Sequence, residues 1–69
     1  MTEKEIIDKV KTVENIGGMT VNERLYMCGL TDEFDRCLKE DKNKADFILK
    51  TIGVDQDSII KILQNQENK

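Results

Sequence analysis

The sequence contains no histidine and only two cysteines among its 69 residues. Histidine is the commonest general base and the commonest transition-metal ligand near neutral pH. Two cysteines are too few to complete a four-ligand zinc site with the carboxylates present, and they are not spaced as a C-x-x-C redox pair. We therefore expect no catalytic residues, no metal site and no cofactor, and we expect the protein not to be an enzyme.

The sequence also lacks proline, long apolar runs and any block of charge of one sign. No apolar stretch approaches the length of a membrane span, and the N-terminal MTEKEIIDK is mixed in charge, so we expect a cytoplasmic protein with no membrane partner. Eleven basic and fourteen acidic residues are interspersed and give a net charge of −3. Because there is no basic stripe for a phosphate backbone, we expect no nucleic-acid partner.

Apolar residues make up 38% of the chain and charged residues 36%, with only four glycines. This composition is typical of a compact helical protein. A chain of 69 residues forms one domain at most, close to the size at which a single core barely offsets the entropy of folding. Every helix therefore has to contribute to that core.

Helical periodicity predicts an all-α fold, a small three- to four-helix bundle in a single domain. Thr2 and Glu5 are spaced as a capping box, and Gly17 is placed to close the helix that they begin. The predicted helices span about residues 2–15, 20–41, 43–52 and 56–64. We expect residues 1–16 to form an N-terminal amphipathic helix that could be an extension, and residues 19–66 to form the core of the bundle.

The helix predicted over residues 20–41 is the longest, and we expect it to be the central element. It begins with a second capping box, Thr20 and Glu23. Gly29 lies between two apolar faces, and either permits close approach of a neighbouring backbone or marks a kink with Thr31 as an alternative N-cap. We favour one continuous or mildly bent helix to about Asp41.

Cys28 and Cys37 are nine residues apart on this predicted helix. At a rise of 1.5 Å per residue their Cα atoms would be separated by roughly 13 Å, whereas a disulfide tolerates at most about 7 Å. We expect two reduced thiols packed in the interior.

The last two predicted helices are joined by a short turn. Ala45, Ile48, Leu49 and Ile52 share one face of the first, and Gly53 is expected to end it. The second is expected to bury Ile59, Ile62 and Leu63 after an N-cap at Asp55, with Val54 stapled against Ile59.

The segment LKTIGVDQDSIIKIL, residues 49–63, resembles the helix-turn-helix signature of bacterial repressors, with Gly53 in the turn and Val54 after it. The departures are chemical. Leu49 stands where that family usually has alanine, and Asp55 and Asp57 lead the surface that would enter the DNA groove. Phosphate contacts supply most nonspecific affinity, so this surface suits DNA poorly. Two short helices joined through a glycine cap explain the same pattern.

Carboxylates cluster around Phe34, at Asp32, Glu33 and Asp35. Paired carboxylates perform acid–base chemistry only when a cleft desolvates them, and a domain of this size has little room for one. We interpret the cluster as a solvated face laced with salt bridges.

The segment MTVNERLYMCGLTDEFDRCLKE, residues 19–40, resembles the opening of a group of small uncharacterised bacterial proteins. These begin with MTVNERL, continue with GL and then EFD, a pattern that covers Met19 to Asp35 here. The resemblance implies a bacterial source and a helical fold, without a reaction or functional residues. It also implies that Met19 corresponds to the start in relatives.

Four apolar residues lie outside the helix faces that best fit the predicted core, and we take them as candidate protein-binding residues. They are Tyr26, Met27, Phe47 and Ile60. Aromatic residues and methionine are common anchors at interface centres, although each of the four could instead complete the core. We expect a protein-binding or inhibitory module that acts by contact, with an unknown protein partner. The alternatives are a homodimerising structural protein and a helix-turn-helix regulator. In size and acidity the chain resembles inhibitor, antitoxin and immunity proteins, whose acidic surfaces can steer onto basic partners.

Overall fold

The computed structural model describes residues 1–67, with side chains described through residue 64. Within these residues the chain is all-helical and forms a compact bundle. The helices are α1 (Glu3–Lys11), α2 (Val21–Met27), α3 (Thr31–Glu40), α4 (Lys42–Thr51) and α5 (Gln56–Glu67), with a single 3-10 turn (Ile16–Gly18) between α1 and α2. The all-α prediction is confirmed, whereas the predicted count of three to four helices is too low for the described chain.

The predicted long helix over residues 20–41 is wrong, because the chain divides at Gly29. Gly29 adopts a left-handed conformation with φ +69°. The amide of Gly29 donates to the carbonyl of Tyr26 at 3.1 Å, and the amide of Leu30 donates to the carbonyl of Leu25 at 2.8 Å. These two bonds form a Schellman motif, which satisfies the last carbonyls of α2 and turns the chain before α3.

The same motif ends α4. Gly53 has φ +90°, its amide donates to the carbonyl of Lys50 at 3.1 Å, and the amide of Val54 donates to the carbonyl of Leu49 at 3.0 Å. In both motifs the residue after the glycine and the residue four before it are apolar and buried. This apolar pair is the contact that usually accompanies a Schellman cap.

The central element is α4, which packs against α1, α3 and α5. Ala45, Ile48, Leu49 and Ile52 were predicted to face the core, and each is almost completely buried. The prediction that the second helix is central is therefore corrected. Since α2 has only seven residues, it cannot cover the bundle by itself.

α1 is shorter than predicted and ends at Lys11 instead of near Asn15. Thr2 and Glu5 form the predicted capping box, with the Thr2 amide donating to Glu5 Oε1 at 2.9 Å. Gly17 does not close α1, since Thr12 caps it and Asn15 takes the left-handed conformation that follows. Ile6 is fully buried, so α1 is an integral part of this bundle.

The core residues come from α1, α2, α3, α4, α5 and the turns between them. They are Ile6, Leu25, Cys28, Leu30, Phe34, Cys37, Ala45, Ile48, Leu49, Ile52, Val54 and Ile59. The predicted core positions of α5 are confirmed at Ile59, and Ile62 and Leu63 pack against this cluster while partly exposed.

Candidate functional site

Arg24 fixes the position of α2 in the bundle. Its Nε donates to the carbonyl of Met19 at 3.0 Å, its Nη1 to the carbonyl of Ile52 at 3.1 Å and its Nη2 to the carbonyl of Gly17 at 3.2 Å. The planar guanidinium thus joins α2, the 3-10 turn before it and the C-terminal end of α4. The Thr20–Glu23 capping box, predicted from the sequence, caps the N-terminus of α2.

The last turn of α2 places one apolar side chain in the core and the next two outside it. Leu25 is 4% exposed, whereas Tyr26 is 77% exposed and Met27 is 55% exposed. α2 ends at Met27, one residue after Tyr26, and the chain turns at Gly29. Two of the four predicted binding residues are therefore adjacent and accessible.

The other two candidates lie elsewhere. Phe47 is partly buried and packs against the core, which is the alternative considered for it. Ile60 is 43% exposed on α5. It lies about 200° around the helix from Ile62, so the two isoleucines occupy different faces of α5. Ile7, which the sequence did not single out, is also among the exposed large apolar side chains.

Tyr26 borders three surface depressions. The largest has a volume of about 580 Å³ and lies between α2 and α3, with Ile62 of α5 on its wall. The others measure about 350 Å³, beside Met27, and about 370 Å³, beside Gly29. The apolar lining of the largest, besides Tyr26, is Val21, Leu25, Phe34, Leu38 and Ile62. We call Tyr26, Met27 and the linings of these depressions the Tyr26 surface.

The sequence did not identify Val21, Leu38 and Ile62 as parts of one surface. In a continuous helix Val21 and Leu38 would be separated by many turns, and they line the same depression only because the chain turns at Gly29. The missed signal is the turn itself. Leu25 and Leu30 flank Gly29 as Leu49 and Val54 flank Gly53.

The ionisable side chains that line the three depressions, among those described, include Asp35, Glu23, Asp32 and Tyr26 itself. Glu23 accepts a hydrogen bond from the backbone of Thr20, which is the largest cause of its lowered pKa. It is therefore ionised at neutral pH. Each of the three carboxylates lines a different depression, so we interpret them as an acidic border and not as an acid–base pair.

Glu33, the third member of the predicted carboxylate cluster, has a structural role. Its carboxylate contacts Arg36 at 2.7 Å, the amino group of Met1 at 3.6 Å and Lys44 Nζ at 3.7 Å. Lys44 also donates to the carbonyl of Met1. The hydrogen bond from Arg36, reinforced by these positive charges, lowers the pKa of Glu33. The network ties α3 and α4 to the start of α1.

Cys28 and Cys37 lie in different elements, at the C-cap of α2 and within α3. The prediction that both cysteines lie on one helix is therefore wrong, although both thiols are free and buried, as expected. Burial raises the pKa of both thiols, which suppresses the thiolate needed for nucleophilic or redox chemistry. Among the described residues, no group of three or more His, Cys, Asp or Glu side chains is placed to hold a metal ion.

The helix-turn-helix segment presents a mixed surface. Of the residues that would face DNA, Asp55, Asp57, Ile60 and Lys61 are all exposed. Asp55 accepts hydrogen bonds from the Ser58 hydroxyl at 2.8 Å and the Ser58 amide at 3.1 Å, and these bonds lower its pKa. The N-terminus of α5 therefore carries an ionised carboxylate at neutral pH.

None of the described helices is both long and apolar enough to cross a membrane. The chain matches no protein-family profile, no curated protein and no solved structure.

Proposed function

We propose that this chain is a protein-binding or inhibitory module that acts by contact through the Tyr26 surface. The observation that carries the proposal is the 77% exposure of Tyr26 directly after the almost fully buried Leu25. The sequence has only one tyrosine and two phenylalanines. A chain this small leaves one of its three aromatic rings outside the core.

The depressions beside Tyr26 strengthen the proposal. Hot spots at protein interfaces are enriched in tyrosine and are surrounded by contacts that exclude water. A ring that stands between concave, partly apolar surfaces can be enclosed by a partner on several sides. Tyrosine offers a large contact area at low conformational cost and a hydroxyl that stays hydrogen-bonded when the ring is covered.

Contact is favoured over catalysis by the chemistry of the described side chains. Both thiols are buried with raised pKa values, and the chain contains no histidine. The carboxylates that line the three depressions, Asp35, Glu23 and Asp32, are all exposed to solvent. We extend the proposal to a bacterial, cytoplasmic protein on the resemblance of Met19 to Asp35 and on the two free, buried cysteines, which are typical of a reducing compartment.

DNA binding through residues 49–63 is the weaker alternative. Asp55 and Asp57 are both exposed at the start of α5, where they would approach phosphates, and Lys61 is the cation of that surface. The electrostatic contribution that dominates nonspecific DNA affinity is therefore small or unfavourable here. Saturable duplex binding at low salt would overturn this judgement.

Site-specific photocrosslinking tests the proposal. A photoreactive phenylalanine analogue replaces Tyr26 in cells of the organism that encodes the chain, and the same analogue replaces Lys11, an exposed residue of α1, as the control. We expect a discrete adduct at position 26 that mass spectrometry identifies, and none at position 11. Excess unlabelled wild-type protein should compete for the adduct, whereas excess Tyr26→Ala protein should not.

The nature of the adduct separates the alternatives. A distinct protein crosslinked at position 26 supports the proposal, and a second copy of this chain favours the homodimerising structural protein. Equal labelling at positions 26 and 11, or adducts that Tyr26→Ala competes away as well as wild type, would contradict a binding role for this surface.

A further inference from the structure

The Tyr26 surface combines apolar depressions with an acidic border. In the largest depression the charged lining residue is Asp35, in the second it is Glu23 and in the third it is Asp32. No lysine or arginine is among the described side chains that line them. Two cations lie close to these depressions. Lys9 Nζ lies 3.8 Å from the position of a Cβ on Gly29, at the edge of the third depression. Arg24 Nε donates at 3.0 Å to the carbonyl of Met19, which lines the second, and its other nitrogens donate to the carbonyls of Ile52 and Gly17.

We propose that the occupant of this surface is a segment of another protein that presents an apolar face flanked by lysine or arginine side chains. The inference rests on the proposed function and specifies the class of partner. The apolar face would lie against Val21, Leu38 and Ile62 in the depression between α2 and α3, beside the Tyr26 ring. The flanking cations would lie opposite Asp35 and Glu23.

Charge complementarity is the reason for this choice. Complementary potentials raise association rates and reject partners that would place like charges together. The net charge of −3 reinforces the local acidity at long range. A partner with an acidic border would place its carboxylates next to Asp35 and Glu23 while water is being removed, which strengthens their repulsion.

Repulsion between like charges disfavours a second copy of the chain as the occupant. In a two-fold symmetric dimer the same patch meets itself. Asp35, Glu23 and Asp32 of both copies would then share one interface. The nearby cations are Lys9 and Arg24, and the Arg24 guanidinium already donates to three carbonyls. The repulsion is relieved when the partner supplies the positive charge.

Two designed peptides test the inference. Each has about 18 residues, which gives about five helical turns, with leucines on one face. The flanking positions are lysine in one peptide and glutamate in the other. We measure their binding to the full chain by fluorescence anisotropy at low and at physiological salt. We expect the lysine peptide to bind at least about tenfold more tightly than the glutamate peptide at low salt, and to weaken as salt screens the charges.

Three variants of the full chain assign the binding to this surface, after circular dichroism shows that each is folded. Tyr26→Ala should weaken the lysine peptide about tenfold, and Asp35→Asn should weaken it and reduce its salt dependence. Asp57→Asn removes the same charge from an exposed position on α5 that lines none of the three depressions. It should have less effect than Asp35→Asn.

Each contrary result has a distinct meaning. If both peptides bind equally and Tyr26→Ala abolishes both, the inference on charge is overturned while the contact surface remains. If Asp57→Asn matches Asp35→Asn, the attraction is a general effect of net charge and the inference is also overturned. If neither peptide binds saturably, the inference is also overturned. Lysine-peptide binding that Tyr26→Ala leaves unchanged contradicts both this inference and the proposed function.

Discussion

Replacing Gly29 by alanine tests the helix break that shapes the Tyr26 surface. Gly29 has φ +69°, and the nearest atom to an added Cβ would be Lys9 Nζ at 3.8 Å. Because this is ordinary contact with the end of a flexible side chain, the substitution probes the backbone alone. The left-handed conformation costs an alanine about 1–2 kcal/mol, and reduced freedom of the unfolded chain offsets part of it. We expect a net loss of about 1 kcal/mol in the free energy of unfolding.

The opposite sign is expected if residues 20–41 formed one helix. In a helix interior, replacing glycine by alanine raises stability by about 1 kcal/mol. Urea unfolding followed by far-UV circular dichroism measures the difference, provided that the variants have equal m-values. A change of 1 kcal/mol corresponds to a shift of about 4–8 °C in Tm for a domain of this size.

Two further glycine substitutions are the controls. Gly53→Ala should lose stability, as Gly29→Ala does, because Gly53 has φ +90° at the same kind of turn. Gly17→Ala should keep or gain stability, since its φ is not left-handed and nothing lies within 4 Å of an added Cβ. A Gly29→Ala variant more stable than wild type would refute the break between α2 and α3.

Three other predictions concern parts of the chain that support the site. Arg24→Ala should lower the free energy of unfolding by about 2 kcal/mol in urea titration, because three carbonyls lose a charged donor, and a loss below about 0.5 kcal/mol would contradict that role. Cys28 and Cys37 should react slowly with a disulfide reagent in the native protein and rapidly in denaturant, because burial raises the pKa of each thiol; equal rates would place the thiols at the surface. The pKa of Glu23 is lowered in the folded state, so the ionised carboxylate stabilises the fold. This contribution to the free energy of unfolding is present above the unfolded pKa of about 4.3 and is lost as the pH falls through the folded-state pKa. Glu23→Gln should flatten the stability–pH curve in that acidic range, and an unchanged curve would show that the hydrogen bonds with Thr20 do not favour the ionised carboxylate.

Local signals predicted much of the fold. The capping boxes at Thr2 and Thr20 and the cap at Asp55 follow from side-chain spacing alone, and the structure confirms all three. The buried face of α4 also follows from helical periodicity. Ala45, Ile48, Leu49 and Ile52 are spaced three or four residues apart along one face, and all four are buried. Such features depend on residues a few positions apart, which is the range over which sequence patterns are informative.

The sequence offered the break at Gly29 only as the less favoured alternative, a kink, although its local pattern repeats that of Gly53. The turn at Gly53 was recognised because Val54 and Asp55 clearly begin a new element. At Gly29 the apolar residues on both sides fit one helical face, so periodicity favours a continuous helix there. Thr31, considered as an N-cap, makes no side-chain cap bond; the structure places the cap at Leu30.

The candidate site was only partly predictable for a different reason. That Tyr26 and Met27 do not fit the core could be inferred from their positions on α2. The sequence could not predict that Phe47 packs against the core, because this burial depends on tertiary packing. The depression that joins Val21, Leu38 and Ile62 requires the path of three helices, which no local pattern contains.

The most direct test of the account compares Tyr26→Ala with Leu25→Ala in the free energy of unfolding. Leu25 is buried in the core, so its truncation should cost about 2–4 kcal/mol. Tyr26 lies outside the core, so its loss should change stability by no more than about 0.5 kcal/mol. A loss of several kcal/mol for Tyr26→Ala would mean that the ring belongs to the fold and is not a free contact surface.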